Sequence, residues 1–385
     1  MQQVISALSL LIVLLSCQSQ KEESFSEDKL PVIDLNGPNL NDFDFNELVQ
    51  DIQYLPLETK EGNVVGEVRK IFKTEDYIFI TDREQNIFIF SASGKYINSF
   101  NEKGKGPEEY LSVSDLLYDE NEKQILILTG GKPKKLIYYD LNGNYIDSKS
   151  FDLRGMDFTF LSNNKAVLYV PTKMNETNPL LNTLALVTLN EGDDNDFLST
   201  NYETGFPEKS PWLVAGNLSR SFENELIYKE PFNDTIYQVQ NDSVLTPRLV
   251  IDAGDREEKP SDYVTMEAYR SMEGKKILWF VPYFLENYYC ITFHEDNQDV
   301  VVIYDKIAGK TYISSGEGGI INKAEGENLY ILPKAIGSAN ELIDFYYPHQ
   351  IKSADLNPEG KLQKLAESLK DDDNPVLVFV MLKGN

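Results

Sequence analysis

Few residues of this sequence have the types and spacing that known catalytic or metal sites require. Its two histidines, His294 and His349, stand far apart and in no metal-ligand spacing. No Gly-x-Ser-x-Gly segment, which would expose a nucleophilic serine, occurs. The acidic runs at 193–196 and 371–373 lack the residue order of an EF-hand calcium loop. The sequence therefore predicts no catalytic residue, no metal site and no cofactor, and it favours a non-enzymatic function.

One loop has a composition that favours ligand binding. Its two glycines can expose backbone N–H groups between two lysines, and such an arrangement binds anions. The alternative is a connector between blades that needs glycine for a tight passage and packs its tyrosine inward. His349 is a further candidate, because it can face a central channel. The predicted ligand-binding residues are Lys103, Gly104, Lys105, Gly106, Tyr110 and His349.

The elements that must position these residues form an internal repeat. Two segments read as strand, tight turn and strand around Gly94 and Gly143, which are 49 residues apart. Gly192 and Asn241 continue the same spacing. Both residue types accept the positive φ that a hairpin turn requires. The spacing therefore predicts a β-hairpin that recurs along the chain.

A second pattern, a polar turn followed by an apolar strand, occurs six times. These turns lie at 75–76, 121–123, 163–164, 223–224, 286–287 and 327–328. Their separation of about 40–60 residues is the length of a four-stranded propeller blade. The 22 tyrosines and 20 phenylalanines also favour strands. The sequence therefore predicts an all-β fold, a six-bladed β-propeller over residues 46–385.

The two ends of this domain indicate how the ring closes. A strand-like segment at 51–57 precedes the first blade, and another at 375–382 ends the chain. We expect these N- and C-terminal strands to pair in the last blade, which removes the open edges of the ring. Apolar residues at helical spacing within 358–370 predict a short C-terminal helix that covers a blade.

The N-terminus reads as an export signal. Residues 7–15 are apolar and uncharged, and at this length they fit the core of a signal peptide. The segment ends in Leu14-Leu15-Ser16-Cys17, which resembles the lipobox of bacterial lipoproteins. This resemblance implies a signal peptide over residues 1–17, a lipid on Cys17 and an outer-membrane location, with cell-surface exposure as an open alternative. Residues 18–45 are predicted to be a flexible acidic tether.

Four further motifs carry a resemblance to a known family. They are YLPLET at 54–59, GKGPEEY at 104–110, NDTIY at 233–237 and NPVL at 374–377. Together with the lipobox, the chain resembles the six-bladed β-propeller lipoproteins of Bacteroidota, whose architecture is related to NHL-repeat propellers. The family pattern has glycine where this sequence has Glu108. The resemblance implies the fold and the location, and it implies little about chemistry.

Charge and fold together restrict the function. The net charge of −26 opposes binding to nucleic acid. We expect a cell-envelope lipoprotein whose partners are the membrane, through the lipid anchor, and a glycan, peptide or envelope protein held without catalysis by the loops between blades. Two alternatives stay open: a propeller lyase or hydrolase, and a structural subunit of an outer-membrane uptake complex. Convergent carboxylates with a basic residue would favour the enzyme, and a broad apolar patch the subunit.

Overall fold

The computed structural model of the chain describes most of the predicted propeller. The described residues are 30–37, 40–171, 174, 182–189, 195–203, 205–207, 210, 212, 214, 216–240, 244–272, 275–314, 318–323 and 329–384. The predictions for the signal peptide, for Cys17 and for the turns at Gly192 and Asn241 fall outside these ranges. Among the described residues, no helix has the length and apolar character needed to cross a membrane.

Within these ranges the chain forms six mainly antiparallel sheets, which are the six blades. The first strands in the described part of the chain are β1 (Val32–Asp34), β2 (Leu40–Asp42) and β3 (Val49–Pro56). Blade 1 contains β4 (Val68–Lys73), β5 (Tyr77–Asp82), β6 (Ile87–Ser91) and β7 (Tyr96–Phe100). Blade 2 contains β8 (Val113–Asp119), β9 (Gln124–Thr129), β10 (Lys134–Asp140) and β11 (Tyr145–Phe151). Blade 3 contains β12 (Met156–Ser162), β13 (Lys165–Val170), β14 (Thr183–Thr188) and β15 (Asn195–Leu198).

The other three blades each include a strand from the start of the chain. Blade 4 contains β1 with β16 (Asn217–Arg220), β17 (Leu226–Lys229), β18 (Thr235–Val239) and β19 (Leu245–Asp252). Blade 5 contains β2 with β20 (Leu278–Phe284), β21 (Tyr288–Glu295), β22 (Gln298–Asp305) and β23 (Lys310–Ile313). A separate hairpin pairs β24 (Ile320–Ile321) with β25 (Tyr330–Ile331). Blade 6 contains β3 with β26 (Ala335–Ile336), β27 (Glu341–Tyr346) and β28 (Val376–Leu382).

Four α-helices accompany the blades in the described part of the chain. They are α1 (Phe45–Leu48), α2 (Met266–Met272), α3 (Pro348–Ser353) and α4 (Lys361–Ser368), and two 3-10 turns, Gly254–Arg256 and Pro260–Tyr263, precede α2. The predicted C-terminal helix corresponds to α4. It buries Leu362 completely and packs Leu365 against the core shared by blades 5 and 6. Helix α4 therefore covers one side of the ring, as its apolar spacing predicts.

The first strand of each blade lines the centre of the ring. Contacts join β8 to β12, β16 to β20 and β26 to β4, and these are first strands of neighbouring blades. Because successive strands within a blade run antiparallel, the short turns after the first and third strands lie on one face of the ring. We call this face the turn face. The longer connections after the second and fourth strands lie on the opposite face, which we call the loop face.

The middle strands of the blades are buried on both sides, which explains their continuous apolar runs. In β6, the side chains of Ile87, Phe88, Ile89 and Phe90 are all at most 3% exposed. The two phenylalanines pack toward blade 6, and the two isoleucines pack toward blade 2. Successive side chains of a strand point to opposite faces, so each strand contributes to two interfaces between blades.

The predicted hairpin turns are confirmed where the structure describes them. Gly94 and Gly143 have φ values of 77° and 81°, which residues with a side chain rarely adopt. A Cβ atom on Gly94 would also lie 2.8 Å from the carbonyl oxygen of Pro56, and one on Gly143 would lie 2.8 Å from the side chain of Phe100. Each turn is therefore restricted by its own conformation and by the preceding blade.

Ring closure by the two chain ends is also confirmed. Strand β28 pairs antiparallel with β3, from Val376 opposite Pro56 to Leu382 opposite Val49. Blade 6 therefore takes three strands from the C-terminal part of the chain and its outermost strand from the N-terminal part.

The sixth predicted turn, at 327–328, lies outside the described residues, but the strand expected after it is not part of a blade, although the number of blades is correct. The strand expected after residues 327–328 is β25, which belongs to the separate hairpin and not to a blade. The turn that precedes the second strand of blade 6 lies at residues 338–340, with Ala339 at a φ of 37°. The insertion between blades 5 and 6 repeats the pattern of a polar turn and an apolar strand, so the sequence pattern cannot distinguish the two.

The predicted tether, residues 18–45, also differs from the structure in its second half. Strand β1 pairs in parallel with β19, and β2 pairs in parallel with β23. Ile33 and Leu35 are 0% and 3% exposed, respectively, and belong to the core of blades 4 and 5. The propeller therefore begins before the predicted residue 46. Three-residue strands are too short to show periodicity within an acidic segment, which explains the error.

Candidate functional site

The loop at residues 103–110 connects blades 1 and 2 on the loop face, and its own carboxylate fills the predicted anion nest. The Gly106 N–H donates a hydrogen bond to Oε2 of Glu109 at 2.7 Å. A Cβ on Gly104 would lie 1.9 Å from the same oxygen. Lys103 and Lys105 are exposed on either side of this carboxylate. The glycines are thus needed for the close approach of Glu109, and neither has a positive φ.

Neighbouring side chains fix the rest of this loop. Lys135 Nζ donates hydrogen bonds to the carbonyl oxygens of Gly106 and Glu109, at 2.6 Å and 2.9 Å. Tyr110 is 1% exposed, and its hydroxyl donates to the carbonyl oxygen of Gln85 at 3.0 Å. These contacts favour the alternative interpretation, a connector with Tyr110 packed inward. The structure does not test whether Lys103 or Lys105 binds a ligand.

His349 lies apart from this loop, at the start of α3. Its ring stacks on that of Tyr347, with 5.7 Å between the centroids, and its side chain is exposed. His349 lines neither of the two cavities described below. The predicted ligand-binding residues therefore do not form one site.

The centre of the ring contains a cavity of about 530 Å³. First strands of all six blades line it, and so do residues of the turn face such as Thr74 and Asn224. Among its lining residues, five are basic and two are acidic, although the protein as a whole carries a net charge of −26. These charged residues are Arg69, Lys70, Lys73, Arg220, Lys334, Asp115 and Glu120. The cavity is therefore electropositive within an acidic protein. We call it the central cavity.

Asp115 organises the charges on one side of the central cavity. Oδ2 of Asp115 accepts hydrogen bonds from the Thr159 hydroxyl and from the backbone N–H of Phe160, the latter at 3.0 Å. The same oxygen lies 3.3 Å from Nη2 of Arg220, and Oδ1 lies 3.8 Å from Nζ of Lys70. Burial alone would raise the pKa of Asp115, but the two cations and these hydrogen bonds together hold that pKa below its ordinary value. Asp115 therefore stays ionised and fixes both cations.

Arg69 of the central cavity lies 3.5 Å from the Glu67 carboxylate, whereas the two cations on Asp115 share a single carboxylate. One carboxylate balances one of them, while a second contact, Lys73 Nζ to Glu341 Oε2 at 3.3 Å, forms a separate pair. Arg220 is held further by the carbonyl oxygen of Phe160, to which Nη2 donates at 2.6 Å. Nη1 of Arg220 also donates to the carbonyl oxygen of Asn224, at 3.1 Å. A guanidinium fixed in this way is suited to binding a carboxylate or another oxyanion.

A second cavity, of about 320 Å³, lies on the loop face between blades 4 and 5. The connection after β17 contributes Glu230 and Phe232, and the insertion before β20 contributes Glu257, Glu258 and Tyr263. The lining also includes Lys229, Trp212, Tyr269 and Phe280. The insertion that contains α2 thus forms one wall. We call this the acidic cavity.

Lys229 occupies the base of the acidic cavity and is 6% exposed. Its Nζ donates hydrogen bonds to the carbonyl oxygens of Glu230, at 3.2 Å, and Asn233. The same nitrogen lies 3.6 Å from Oε1 of Glu257 and 5.4 Å from the ring centroid of Phe280. Burial lowers the pKa of Lys229, although the nearby carboxylates oppose that effect.

The carboxyl groups of the acidic cavity are poorly compensated. Burial, a hydrogen bond with the Asp234 carboxyl and the charge of that group raise the pKa of Glu257 to about 7, against the attraction of Lys229. Burial also raises the pKa of Glu258 to about 7, although the Tyr263 hydroxyl donates a hydrogen bond to it. Two carboxyl groups of one cavity therefore change charge near neutral pH.

Sequence reasoning missed both cavities, for different reasons. The basic residues of the central cavity come from first strands far apart in the chain, and only ring closure brings them together. The acidic cavity has a weak local signal, since Lys229-Glu230 and Glu257-Glu258 each place charges beside apolar strands or inside an insertion. Such pairs are common on exposed loops, so the signal does not distinguish a cavity from a surface.

A buried carboxyl in blade 6 leads to a prediction about pH. Asp344 is 4% exposed, and burial raises its pKa to about 7, despite hydrogen bonds from the N–H groups of Leu332 and Phe345 and the charge of Lys334. A raised pKa in the folded state means that this contribution to stability is complete below about pH 4 and is lost as the pH rises through 7. We expect the thermal midpoint to fall between pH 5 and pH 8.5. The accompanying loss in the free energy of unfolding should be smaller in Asp344→Asn, by roughly 1–3 kcal/mol.

The control for this prediction is Glu286→Gln, because Glu286 is exposed in a turn of blade 5. Differential scanning fluorimetry across the pH range compares the three proteins. Glu257 and Glu258 act in the same direction as Asp344, so Asp344→Asn should retain part of the dependence. An unchanged pH profile for Asp344→Asn would contradict the prediction.

Comparison with known proteins supports the fold. No curated protein matches the chain in sequence. A candidate exported protein of Bacteroides fragilis has a crystal structure that aligns with a TM-score of 0.69 at 16% identity, over 92% of this chain and 99% of that chain. A protein of unknown function from Bacteroides thetaiotaomicron aligns with a TM-score of 0.47 at 6% identity, over 87% of this chain and 76% of that chain. At 16% identity, the similarity to the Bacteroides fragilis protein concerns the fold alone.

The family comparison covers nearly all of the propeller. Residues 30–381 match the family described as Domain of unknown function (DUF4934). This range begins just before β1 and ends within β28, so it contains all six blades. The chain therefore belongs to the DUF4934 family.

Proposed function

We propose that the protein is an exported, lipid-anchored propeller of the cell envelope that binds, without catalysis, a ligand bearing carboxylate or similar oxyanion groups. The observation that carries the proposal is the excess of basic side chains in the central cavity. A strongly acidic protein repels anions over most of its surface. Cations gathered in one enclosed region therefore mark the place where an anionic ligand is favoured.

The geometry of Asp115 supports binding at this position. Asp115 holds Lys70 and Arg220 on one side of the cavity, and it stays ionised. Because the cations are fixed before a ligand arrives, binding requires little ordering of long side chains. An anionic glycan fits this description, since its carboxylates can engage the cations while its hydroxyl groups meet the polar residues of the inner strands.

The proposed binding is tested with acidic and neutral oligosaccharides of equal length. Trigalacturonate should bind to the wild-type protein, and its affinity should fall as salt is added, while maltotriose should bind at least tenfold more weakly. Arg220→Gln and Lys70→Gln should each weaken trigalacturonate binding about tenfold in isothermal titration calorimetry. Lys95→Gln is the matched control, because Lys95 is exposed in a turn at the periphery of blade 1.

Two outcomes would overturn the proposal for this site. The first is equal affinity of the protein for the acidic and the neutral trisaccharide. The second is an unchanged affinity for trigalacturonate in a folded Arg220→Gln variant. Acidic peptides form a second arm of the experiment, and binding of these alone would replace the glycan with a peptide as the ligand.

The location is supported by the lipobox-like segment that ends at Cys17 and by the similarity to a candidate exported protein of Bacteroides fragilis. We expect Cys17→Ala to abolish incorporation of a radioactive fatty acid and to release the protein from membrane fractions. Cys290 provides the internal control, because its thiol is fully buried and Cys290→Ala should leave the label unchanged. Label retained in Cys17→Ala would rule out this anchor.

A further inference from the structure

The acidic cavity has walls of two kinds, carboxyl groups and aromatic rings. Phe232 and Tyr263 are largely buried, with 5.7 Å between their ring centroids. The ring centroids of Tyr263 and Tyr269 are 5.8 Å apart, and those of Tyr269 and Trp212 are 4.5 Å apart. These rings continue one another along the wall that faces the carboxyl groups. The negative faces of aromatic rings attract cations, as carboxylates do.

Glu230 provides an observation independent of the acidic cluster. Its side chain is 0% exposed and lines the acidic cavity. One carboxyl oxygen, Oε2, accepts hydrogen bonds from the Thr200 hydroxyl and from Asn233 Nδ2, the latter at 3.2 Å. The Asn182 side chain also forms a hydrogen bond with this carboxyl group. The other oxygen, Oε1, has no hydrogen-bond partner among the described residues. A buried carboxyl oxygen without a donor is costly, and a donor within the cavity would remove that cost.

The single lysine of the cavity does not supply this donor. Two backbone carbonyl oxygens and the Glu257 carboxyl already hold Lys229 Nζ. Four acidic residues, Glu230, Glu257, Glu258 and Asp234, thus share one ammonium group. The carboxyl groups of the cavity therefore outnumber its one ammonium group, and the aromatic surfaces of the cavity also favour a cation. The Trp212 Nε1–H, which lines the same cavity, has no partner among the described residues.

We propose that the acidic cavity binds an organic cation, namely the guanidinium or ammonium group of a basic side chain. Such a group carries several N–H donors on a flat or compact head, and its stem is apolar. The head can reach the free oxygen of Glu230 and the carboxyl of Glu258, while the stem packs on the aromatic wall. This site lies on the loop face, and it is separate from the central cavity and independent of the anionic ligand proposed there.

Protonation provides a signature of this binding. Lys229 and Asp234 face Glu257, while Tyr263, Lys229 and Asp262 act on Glu258. At pH 6.5 both carboxyl groups are largely protonated, since each pKa is raised to about 7. A cation stabilises their ionised forms, so binding should release protons. The affinity should rise from pH 6 to pH 8.

The experiment compares two probes of nearly the same shape, Nα-acetyl-arginine methylamide and Nα-acetyl-citrulline methylamide. Calorimetric titrations of the full chain use two buffers of different ionisation enthalpy, which reports the protons released. The arginine probe should bind at least tenfold more tightly than the uncharged citrulline probe. Glu258→Gln and Glu230→Gln should each weaken the arginine probe about tenfold, while Glu286→Gln, on the opposite face, should leave binding unchanged.

Each outcome decides the proposal. Equal affinity for the two probes, or no detectable binding of the arginine probe, would overturn it. An unchanged affinity in a folded Glu258→Gln variant would also overturn it. If Glu230→Gln does not fold, Glu258→Gln and the probe comparison still decide. Because Arg220→Gln should not affect the arginine probe, failure here is distinguishable from failure of anion binding in the central cavity.

Discussion

Deletion of residues 375–385 is expected to abolish folding of the propeller. The deletion removes β28, which lies between β27 and β3 and joins the two ends of blade 6 by backbone pairing. Five side chains of this strand are 0% exposed: Val376, Leu377, Val378, Val380 and Leu382. Burial of each contributes about 1.5–3 kcal/mol, so their loss approaches the total stability of an ordinary protein.

The measurement is the soluble yield and the thermal midpoint of the truncated chain. A deletion of residues 18–30 is the matched control, because it removes a segment of similar length that lies before the first strand of the propeller. We expect the control to keep the wild-type midpoint and the C-terminal deletion to give no cooperative transition. Similar midpoints for the two truncations would contradict closure of the ring by β28.

Asn374→Ala is expected to be the most harmful single substitution outside the apolar core. Asn374 is 0% exposed and joins blade 6 to the connection that leads into blade 1. Its Oδ1 accepts a hydrogen bond from the Val65 N–H at 2.8 Å, and its Nδ2 donates to the carbonyl oxygens of Glu58 and Asn63, at 3.0 Å and 3.1 Å. Alanine would remove these partners from the Val65 N–H and from the Asn63 carbonyl oxygen, while the Glu58 carbonyl oxygen would keep the hydrogen bond from Asn63 Nδ2 at 3.3 Å. The expected cost is roughly 2–4 kcal/mol.

For a chain of this length, such a loss lowers the thermal midpoint by roughly 4 °C. Asn357→Ala is the control, because Asn357 is exposed and accepts a hydrogen bond only from a nearby residue of its own turn, the Glu359 N–H at 3.1 Å. Thermal unfolding of the two variants and the wild type is compared at the same pH. Equal midpoints for Asn374→Ala and Asn357→Ala would show that the link has no special importance.

The same residue shows why the fold was accessible from the sequence. The motifs at 374–377 and 54–59 lie at opposite ends of the propeller sequence, and the structure brings them together through Asn374 and through the pairing of β28 with β3. Repeats of glycine at hairpin turns and of apolar strands are local signals, and each appears within about ten residues. Signals of this range predict strands, turns and the number of blades well.

The candidate sites depend on contacts that no local signal contains. Lys70, Asp115 and Arg220 lie on three blades and meet only in the closed ring. The loop at 103–110 shows the opposite case, since its composition is unusual for a structural reason. Gly104 and Gly106 make room for Glu109, so the glycines serve the loop's own packing. Unusual local composition therefore indicates a constraint on the loop, but the sequence does not distinguish a packing constraint from a ligand-binding one.

The order of the first three strands has a consequence for how the protein bears force. From the N-terminus, the chain passes the outer edge of blade 4 as β1, then that of blade 5 as β2, and then enters blade 6 as β3. Tension applied at an N-terminal anchor would reach β1 and β2 before the closing pair of blade 6. Peeling these two three-residue strands would release the segment from β1 to the residue before β3, whose fully extended length is roughly 60 Å at about 3.3–3.6 Å per residue. Under tension, the edge strands β1 and β2 would thus detach first, while the pair of β28 and β3 keeps the ring closed.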